Sequence, residues 1–425
     1  MTASSSSSPN DTAARLRYAE SFGRAVLPEV SRTFAISIRF LPGTLGRAVL
    51  TAYLLCRIAD TIEDDGTATP ERKRALLDLF LRGLSNAGMA DGFPVAAADI
   101  RGDPAHVDLL RHTDLVCVLL RSLPDRTRER VMHWVGVMVH GMRKFVGLYP
   151  NGIRIQTVAE YREYCYYVAG TVGCMLTELW QLHGPGIGAK EFAKLWDKCQ
   201  QFGQALQTVN ILKDIAWDAR HENSIYIPEH SLAAQGSGHA TLLSPEHLER
   251  NHAAVVGFIE MAWKDLDDAL EYILMLPRRA IAIRAFCVLP LLFAYATLRD
   301  LTRTQAMLIE GGTVKIGRAE VKSLMVAGLM ALVSNAALRA RELAGVAFTG
   351  STAVGQWLNR ALAARDCVLR LRVYENADGT SAGLDWKGPT GYEDGYKVRQ
   401  ELTTGVTDAS ALKRMLDRRD PSYKT

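Results

Sequence analysis

The sequence predicts an all-α fold, a bundle of successive helices that is followed by a short C-terminal extension with a β-hairpin. From about Leu16 to Leu343 nearly every segment has apolar residues at three-and-four spacing, which is typical of helices that bury one face. No run of alternating strand-like residues interrupts this region, so a helical bundle is the most economical prediction. Proline and glycine cluster at the breaks between segments, as at Leu41–Leu45, Tyr149–Gly152, His183–Gly188 and Gly311–Gly317.

The two ends of the chain differ from this helical region. Residues 1–15 begin with a serine-rich tract, which predicts a disordered tail. After about Gly345 apolar and polar residues alternate, and a turn-forming segment follows at 376–379, which predicts a β-hairpin. We therefore expect a helical domain over 16–345 and an extension of unknown role over 346–425. The alternating residues are Leu369, Arg370, Leu371, Arg372, Val373 and Tyr374.

The composition is that of a globular protein. With 48% hydrophobic and 23% charged residues, and 15 Pro beside 34 Gly, the 425-residue chain is neither collagen-like nor disordered throughout. Fifty Lys and Arg against 46 Asp and Glu give a formal net charge of +4. Because this excess is small, we expect no nucleic acid partner, although the charge suits an anionic small substrate or an anionic membrane surface.

Cysteine usage and hydropathy predict a cytoplasmic protein. The seven cysteines form no CxxC pair and lie mostly in apolar helical segments, which is typical of reduced thiols in a core. The serine-rich start lacks the basic and apolar regions of a signal peptide. The most apolar stretches, Ala285–Leu298 (interrupted by Pro290) and Ser323–Leu338, are shorter than the ~20 residues that span a bilayer. We therefore expect no integral membrane anchor.

The first chemically informative segment is an acidic cluster at 60–65. Asp60, Glu63 and Asp64 stand at i, i+3 and i+4, so they share one helix face, with Arg57 one turn earlier. A solvated acidic face is the ordinary explanation of such a run. The apolar segment Ala48–Leu55 argues instead that the helix is enclosed and that its carboxylates meet a cation, of which a divalent metal is the obvious candidate.

The second acidic segment is Phe202–Asp218, in which polar residues follow one stripe of an otherwise apolar helix. The stripe contains Gln207, Asn210, Asp214 and Asp218, at steps of three, four and four. A polar stripe of this kind predicts a polar cavity inside the bundle, and the alternative is a buried network of hydrogen-bonded amides and acids. Two acidic helices that face each other would suit Mg²⁺, with substrate phosphate oxygens completing its coordination.

Four segments together carry a family resemblance: SRTF at 31–34, DTIEDD at 60–65, YCYYVAGTVG at 164–173 and QTVNILKDIAWD at 207–218. In this order and at these separations they resemble the squalene and phytoene synthase family of head-to-head isoprenoid synthases, over roughly residues 16–345. The resemblance implies the all-helical isoprenoid synthase fold and a Mg²⁺-dependent prenyl diphosphate site. It also implies condensation of two prenyl diphosphates through a cyclopropyl intermediate.

The resemblance implies a role for each matching residue. The metal would be bound by aspartates of both clusters, supported by one glutamate and one asparagine: Asp60, Asp64, Asp214, Asp218, Glu63 and Asn210. The substrate would contact three cationic side chains near its phosphates, Arg32, Arg57 and Lys213. It would also contact Gln207, Asn210 and Phe286. Tyr164 would act in catalysis together with the four aspartates, by removing the proton that is lost when the two substrates condense. Without the resemblance, surface salt bridges explain the three cations equally well, and a core tyrosine with a satisfied hydroxyl explains Tyr164 better than a catalytic role does.

A reductive step would distinguish the squalene type from the phytoene type. No GxGxxG segment follows a strand, so NADPH would need a site outside a Rossmann fold. Lys315 and Arg318 resemble the basic element that squalene synthases use for the NADPH phosphates, and Ser31 and Thr33 match flap residues near it. The resemblance thus favours NADPH, although Gly317 replaces a usual basic residue. The alternative explanation is a basic turn at a helix start.

These observations predict a squalene synthase-like enzyme that condenses two farnesyl diphosphates to presqualene diphosphate and reduces this product to squalene with NADPH. The alternative is a phytoene or dehydrosqualene synthase-type prenyltransferase without NADPH, and a non-catalytic helical scaffold is a third possibility. Two departures from the family pattern are Trp217, where a glutamate is usual, and Ser224, where an arginine is common. We expect a monomer with at most peripheral membrane contact for product release.

Overall fold

The computed structural model describes residues 9–332, residue 335 and five strands between 368 and 406. The chain divides into two compact units, Met1–Asn335 and Ala336–Thr425. The boundary falls ten residues before the predicted one. The first helix begins at Pro9, inside the segment predicted to be a disordered tail, because proline and an early acidic residue, Asp11, both suit a helix N-terminus.

In the described part of the first unit the chain forms sixteen α-helices, as the apolar periodicity predicts. They are α1 Pro9–Val30, α2 Arg32–Ile38, α3 Gly43–Glu63, α4 Pro70–Ser85, α5 Ala87–Ala96, α6 Pro104–Arg111, α7 Thr113–Arg121, α8 Asp125–Leu148, α9 Val158–Cys165, α10 Thr171–His183, α11 Ala189–Trp196, α12 Cys199–Trp217, α13 Glu229–Ala233, α14 Leu248–Met275, α15 Ile281–Leu301 and α16 Arg318–Ala331.

Two helices, α3 and α12, form the centre of this unit. Helix α3 packs against α1, α4, α6, α7, α8 and α10, and α12 packs against α9, α10, α14 and α15. Helix α10 therefore lies between the two central helices and contacts both. Because α3 and α12 also carry the two acidic segments, these segments lie on the two helices that connect most of the bundle.

Helix α15 differs from its prediction. The sequence predicts that Pro290 interrupts the apolar run, yet the helix continues through it for 21 residues. Within the described residues it is the one helix long and apolar enough to cross a membrane, and 89% of its most apolar window is buried inside the protein. It packs against α2, α12, α14 and α16. This enclosure compensates for the hydrogen bond that proline removes.

Two π-helical turns lie next to the predicted motifs. One, Tyr166–Gly170, joins α9 to α10, and the other, Asp218–Glu222, extends α12. The first turn packs closely on α12: a Cβ on Gly203 would lie 2.0 Å from the Ala169 carbonyl oxygen. The small residues of this motif thus allow close contact between two backbones.

The second unit contains the predicted hairpin. Strand β1, Val368–Asn376, pairs antiparallel with β2, Gly379–Lys387, in the register that joins Asn376 to Gly379. Three further strands, β3 Gly391–Glu393, β4 Tyr396–Val398 and β5 Glu401–Val406, were not predicted; β5 pairs with β2, and β3 pairs with β4.

Six of the seven cysteines are free and buried, as predicted for core thiols; Cys367 lies outside the described residues.

Candidate active site

The first acidic cluster lies at the C-terminal end of α3. Asp60 and Glu63 belong to its last turn, and Asp64 is the residue that follows the helix. The apolar half of α3 packs into the core and carries Glu63 with it, so that only 6% of this residue is exposed. Burial raises the pKa of Glu63 well above its usual range, and negative charge on Asp64 and Asp60 adds to the effect. In its ionised form, a carboxylate in this position is stable only beside a cationic partner.

The second cluster lies at the C-terminal end of α12 and runs from the surface inward. Asn210 is exposed, Asp214 is half-buried, and Asp218 is 9% exposed at the start of the π-helical turn. Gln207, one turn before Asn210, is half-buried. The stripe predicted from the sequence is therefore present, and it opens to solvent at its middle.

The ends of α3 and α12 adjoin each other. A Cβ placed on Gly66, just after α3, would lie 2.8 Å from the His221 carbonyl oxygen in the turn after α12. Burial raises the pKa of Asp64 well above its usual range, and negative charge on Glu222 adds to this. Burial, followed by repulsion from the neighbouring aspartates, raises the pKa of Asp218 to about 8. The structure thus brings the two acidic segments to one place.

Two of the four predicted metal-binding aspartates have a cationic neighbour. Arg57 Nη1 lies 3.4 Å from an Asp60 carboxylate oxygen, and Lys213 forms an ion pair with Asp214. Within the described residues, neither Asp64 nor Asp218 has a side-chain hydrogen bond or ion pair. These two carboxylates, one from each helix, are therefore the ones available to an external cation.

The fit of the site to a metal and to phosphate can be judged from its unpaired polar atoms. No three His, Cys, Asp or Glu side chains in the described part of the chain form a ready ligand set for one ion. Two buried side-chain atoms at the site nevertheless have no hydrogen-bond partner, Glu63 Oε1 and Arg57 Nε. The first is an acceptor suited to a hard cation, and the second is a donor suited to a phosphate oxygen. The donor set therefore fits a cation together with a diphosphate.

Sequence reasoning missed Lys73, which reaches the site from α4. Its Nζ donates to the Glu63 carbonyl oxygen at 2.5 Å, one of the last carbonyls of α3. Burial lowers the pKa of Lys73, against the opposing effect of Glu63, Asp64 and nearby carboxylates. No motif spacing links Lys73 to the acidic cluster, because only the packing of α4 on α3 brings them together.

Sequence reasoning also missed Glu222, although a signal for it exists. It stands four residues after Asp218, as Asp218 stands four after Asp214, so it continues the polar stripe beyond the end of the recognised motif. Burial and repulsion from Asp218 and Glu63 raise the pKa of Glu222 to about 8. It belongs to the same electrostatic cluster as the predicted residues.

Tyr164, the predicted proton-removing phenol, lies beside the first acidic cluster. It is 3% exposed, its ring packs edge-to-face on Phe145, and its hydroxyl donates to the Tyr226 hydroxyl. Burial raises its pKa well above the usual range, and negative charge on Glu63 adds to the effect. The Tyr164 side chain is therefore a neutral phenol, and Tyr226 is a partner that the sequence did not indicate.

The chain after the π-helical turn positions Tyr226. Asn223 ends the turn in the left-handed conformation, with φ of 51°, which asparagine tolerates better than most residues. Arg154 donates to its carbonyl oxygen and its side-chain oxygen at 2.6 and 2.7 Å. The Ile225 N–H then donates to the Ile153 carbonyl oxygen at 2.8 Å. These contacts direct the chain so that the next residue, Tyr226, stacks on Tyr164.

The other predicted substrate-binding residues have separate surroundings. Phe286 is buried, and its ring lies 5.5 Å from that of Trp180 and 6.3 Å from that of Phe34, in an aromatic cluster between α2, α10 and α15. The side chain of Arg32 lies outside the described residues. Lys213 is held against Asp214, as noted above.

The predicted NADPH residues lie on two elements that both pack on α15. Ser31 caps α2 by accepting a hydrogen bond from the Phe34 N–H at 3.1 Å, and Thr33 is half-buried in that helix. Lys315 and Arg318 are exposed before and at the start of α16. Within the described residues neither cation forms an ion pair or a side-chain hydrogen bond.

Trp217 and Ser224, the two departures from the family pattern, also have clear surroundings. Trp217 is 58% exposed, and its ring stacks on His221 with centroids 3.7 Å apart. A carboxylate at this position of α12 would therefore point away from the buried Asp218. Ser224 is buried and donates to the Glu222 carbonyl oxygen at 3.3 Å, so it supports the π-helical turn.

A cavity of about 340 Å³ lies at the opposite end of α3 from the acidic cluster. Since α3 has 21 residues, the two ends are about 31 Å apart. None of the predicted site residues lines this cavity, whose walls are Pro42, Thr44, Leu45, His183, Pro185, Arg279, Ala280, Ile281, Ala282 and Ile283.

Comparisons with known proteins concern the family and the fold of the chain. A family model described as squalene/phytoene synthase matches residues 27–320. The squalene synthase of Schizosaccharomyces pombe is 27% identical over 304 residues, which cover 68% of this chain and 63% of that protein. The squalene synthase of Ganoderma lucidum is 30% identical over 316 residues, covering 70% and 64%. The chain thus matches less than two thirds of the length of each of these relatives.

A solved structure has the same fold. The structure of TcSQS with the ligand BPH1237 superimposes with a TM-score of 0.68 at 23% identity, and the match covers 82% of this chain and 98% of that chain. The all-α architecture predicted from the sequence is therefore confirmed.

Proposed function

This chain belongs to the squalene/phytoene synthase family, and from that premise we propose that it is a Mg²⁺-dependent prenyltransferase of the squalene synthase type. It joins two farnesyl diphosphates head to head to form presqualene diphosphate, and it then reduces this product to squalene with NADPH. The observation that carries the proposal is the meeting of the two acidic helix ends, where Asp64 and Asp218 lack a cationic partner within the described residues.

The site has the groups that ionisation of a prenyl diphosphate requires. The reaction breaks the allylic C–O bond, and the diphosphate leaves with the electron pair, so negative charge accumulates on its oxygens. When bound, Mg²⁺ neutralises this charge, and it would be held by Asp64 and Asp218 with Asp60, Asp214 and Glu63 around them. Arg57, with its buried and unpaired Nε, donates to the departing oxygens. Lys73 adds positive charge from the side of α4.

The aromatic pair beside the carboxylates suits the next step. The double bond of the second substrate attacks the allylic cation, and closure of the cyclopropane ring requires loss of one proton. Tyr164 can accept this proton on its phenol oxygen as its own hydroxyl proton moves to the oxygen of Tyr226, so no phenolate has to exist beforehand. The hydroxyl proton of Tyr226 then passes to the released diphosphate, and both phenols end neutral. A neutral phenol is compatible with the raised pKa of Tyr164.

The reductive half of the proposal depends on NADPH, which supplies a hydride to the rearranged cation. Ser31 and Thr33 on α2, and Lys315 and Arg318 at α16, would hold the cofactor. This assignment is supported by the two exposed cations, Lys315 and Arg318, which have no partner among the described residues. It is also supported by the packing of α2 and α16 on α15. The exposed cations suit the phosphates of a dinucleotide.

The decisive experiment incubates the purified protein with farnesyl diphosphate and Mg²⁺, with and without NADPH, and analyses the lipid products. We expect squalene only in the presence of NADPH, and presqualene diphosphate in its absence. The same hydrocarbon in both reactions would reject the reductase and favour the dehydrosqualene synthase type. If neither reaction releases diphosphate, the proposed prenyltransferase activity is rejected.

A further inference from the structure

The glutamate that ends the π-helical turn after α12 is explained by none of the contacts that stabilise the turn. The Asn223 N–H bonds to the Asp218 carbonyl oxygen, which is the i to i+5 bond of a π-turn. Ser224 and Arg154 hold the residues that follow. The Glu222 side chain has no hydrogen bond or ion pair among the described residues.

The turn brings this side chain against the end of α3. A Cβ placed on Gly66 would lie 3.8 Å from the Glu222 Cα and 2.8 Å from the His221 carbonyl oxygen, so the two backbones are in contact there. The Glu222 carboxylate is half-buried and repels Asp218, Glu63 and Asp60. It therefore lies between the two acidic segments and not on an outer face of the turn.

A second observation at the same place points to a ligand. Glu63 is 6% exposed, and its Oε1 has no hydrogen-bond partner. Repulsion between Glu63 and Glu222 indicates that both carboxylates approach the same volume. Lys73 adds positive charge near both groups, but its Nζ donates to a backbone oxygen, and within the described residues it forms no ion pair with either carboxyl group. Buried acidic groups without such a pair either stay protonated or bind a cation, and the unpaired Oε1 of Glu63 is an acceptor that a cation can use.

We propose that Glu222 is a further cation-binding carboxylate of this site, brought to it by the π-helical turn. The inference rests on the proposed function, because it assumes that Asp64 and Asp218 bind a divalent cation. A third carboxylate near them raises the affinity for a hard cation, and oxygen ligands are those that Mg²⁺ and Mn²⁺ prefer. Without a cation, the same carboxylate destabilises the fold by repulsion.

The test measures binding of Mn²⁺ alone by electron paramagnetic resonance, with no substrate present. We expect Glu222→Gln to weaken Mn²⁺ affinity at least about tenfold. Glu222→Asp, which keeps the charge on a shorter side chain, should retain part of the affinity. The matched control is Glu310→Gln, since Glu310 pairs with Arg220 of the same turn at 3.0 Å but is exposed. This control should bind Mn²⁺ within about twofold of the unmodified protein.

Thermal unfolding provides a second readout that a purely structural role would not produce. In EDTA, Glu222→Gln should melt at a higher temperature than the unmodified protein, because the neutral amide does not carry the cost of burying an unpaired carboxyl group among other acids; a lower melting temperature would contradict the proposal. Asp64→Asn separates the two hypotheses. If Asp64→Asn weakens Mn²⁺ binding and Glu222→Gln does not, the inference about Glu222 is wrong and the proposed function stands. If neither variant weakens it, the cation site itself is wrong.

Discussion

The hydroxyl of Tyr164 donates to the hydroxyl of Tyr226 across 3.2 Å, and their rings stack with centroids 4.8 Å apart. The two tyrosines come from different parts of the chain, α9 and the segment after the π-helical turn of α12. Both carry a pKa raised well above the usual range, first by burial and then by nearby carboxylates. The pair therefore consists of two neutral, hydrogen-bonded phenols next to a cluster of acidic residues, the arrangement on which the proposed proton relay depends.

Removal of the Tyr164 hydroxyl tests this relay. Tyr164→Phe should lower the rate of product formation from farnesyl diphosphate by about 10²-fold, the size expected when a positioned proton acceptor is lost. Tyr226→Phe should have a smaller effect, because Tyr164 keeps its own oxygen. The matched control is Tyr272→Phe, a buried tyrosine whose hydroxyl contacts Thr177 at 2.7 Å. An unchanged rate in Tyr164→Phe would assign the proton transfer to another group.

The carboxylates available to a cation should dominate the rate of ionisation. Asp64→Asn and Asp218→Asn should each lower diphosphate release by about 10²–10³-fold, since the developing charge on the leaving group loses its stabilisation. Asp99→Asn is the control, because Asp99 forms an exposed ion pair with Arg72 at 2.6 Å, away from the cluster. A coupled assay of released diphosphate measures all three variants. Equal rates in the two site variants and the control would refute the assignment of the site.

The stability of the metal-free protein should depend on pH with a definite sign. The pKa of Asp218 is raised to about 8, from an ordinary value of 3.8. The contribution of this group to stability is fully present below pH 3.8 and is lost as the pH rises toward 8, because the unfolded chain gives up the proton first. Calorimetry in EDTA should show a melting temperature that falls by at least about 2 °C between roughly pH 5 and pH 8. The fall should be smaller in Asp218→Asn, and an equal fall in both proteins would contradict this origin.

The sequence could predict the helices and most of the site because helical periodicity is a local signal. The spacing of Asp60 and Asp64, and that of Asp214 and Asp218, already places each pair on one face. That the two pairs adjoin each other at the same end of the bundle could be predicted only from the family resemblance. Lys73 could not be found in this way, because its contact depends on how α4 packs.

Two further differences have physical causes beyond periodicity. Glu222 joins the cluster through a π-helical turn, and the α-helical period does not describe that turn. Pro290 was expected to interrupt the apolar run of α15, but the burial of this helix outweighs the loss of one hydrogen bond, and the helix continues through the proline. The four-residue spacing from Asp218 was a signal for Glu222 that the sequence contained, whereas the continuation of α15 was decided by tertiary packing, for which a single sequence contains no direct signal.

The close contact between the tyrosine motif and α12 should tolerate no side chain at Gly203. Its Cβ would lie 2.0 Å from the Ala169 carbonyl oxygen, so Gly203→Ala must push the π-helical turn Tyr166–Gly170 away from α12. We expect a loss of about 2–3 kcal/mol in the free energy of unfolding. Gly136→Ala is the matched control, because a Cβ at Gly136 in α8 would meet no atom within 4 Å. That substitution should stabilise the protein by about 0.5–1 kcal/mol. Urea denaturation compares the two, and similar stabilities would show that the bundle absorbs the added atom.

Arg284 should be the most sensitive cation in the core. It is fully buried in α15, and its guanidinium donates to the carbonyl oxygens of Ile273, Leu276 and Leu332 at 3.3, 2.9 and 2.9 Å. Arg284→Met removes every donor and leaves the Leu276 and Leu332 carbonyl oxygens without the guanidinium, while the Ile273 oxygen keeps only its bond from the Leu276 N–H, which should cost about 3–5 kcal/mol in the free energy of unfolding. Arg284→Lys should recover little, because an ammonium group cannot reach three acceptors in the planar arrangement of a guanidinium. Urea denaturation of both variants measures the loss. If Arg284→Lys is as stable as the unmodified protein, the carbonyl oxygens need only a positive charge, and the several N–H donors of the guanidinium are not required.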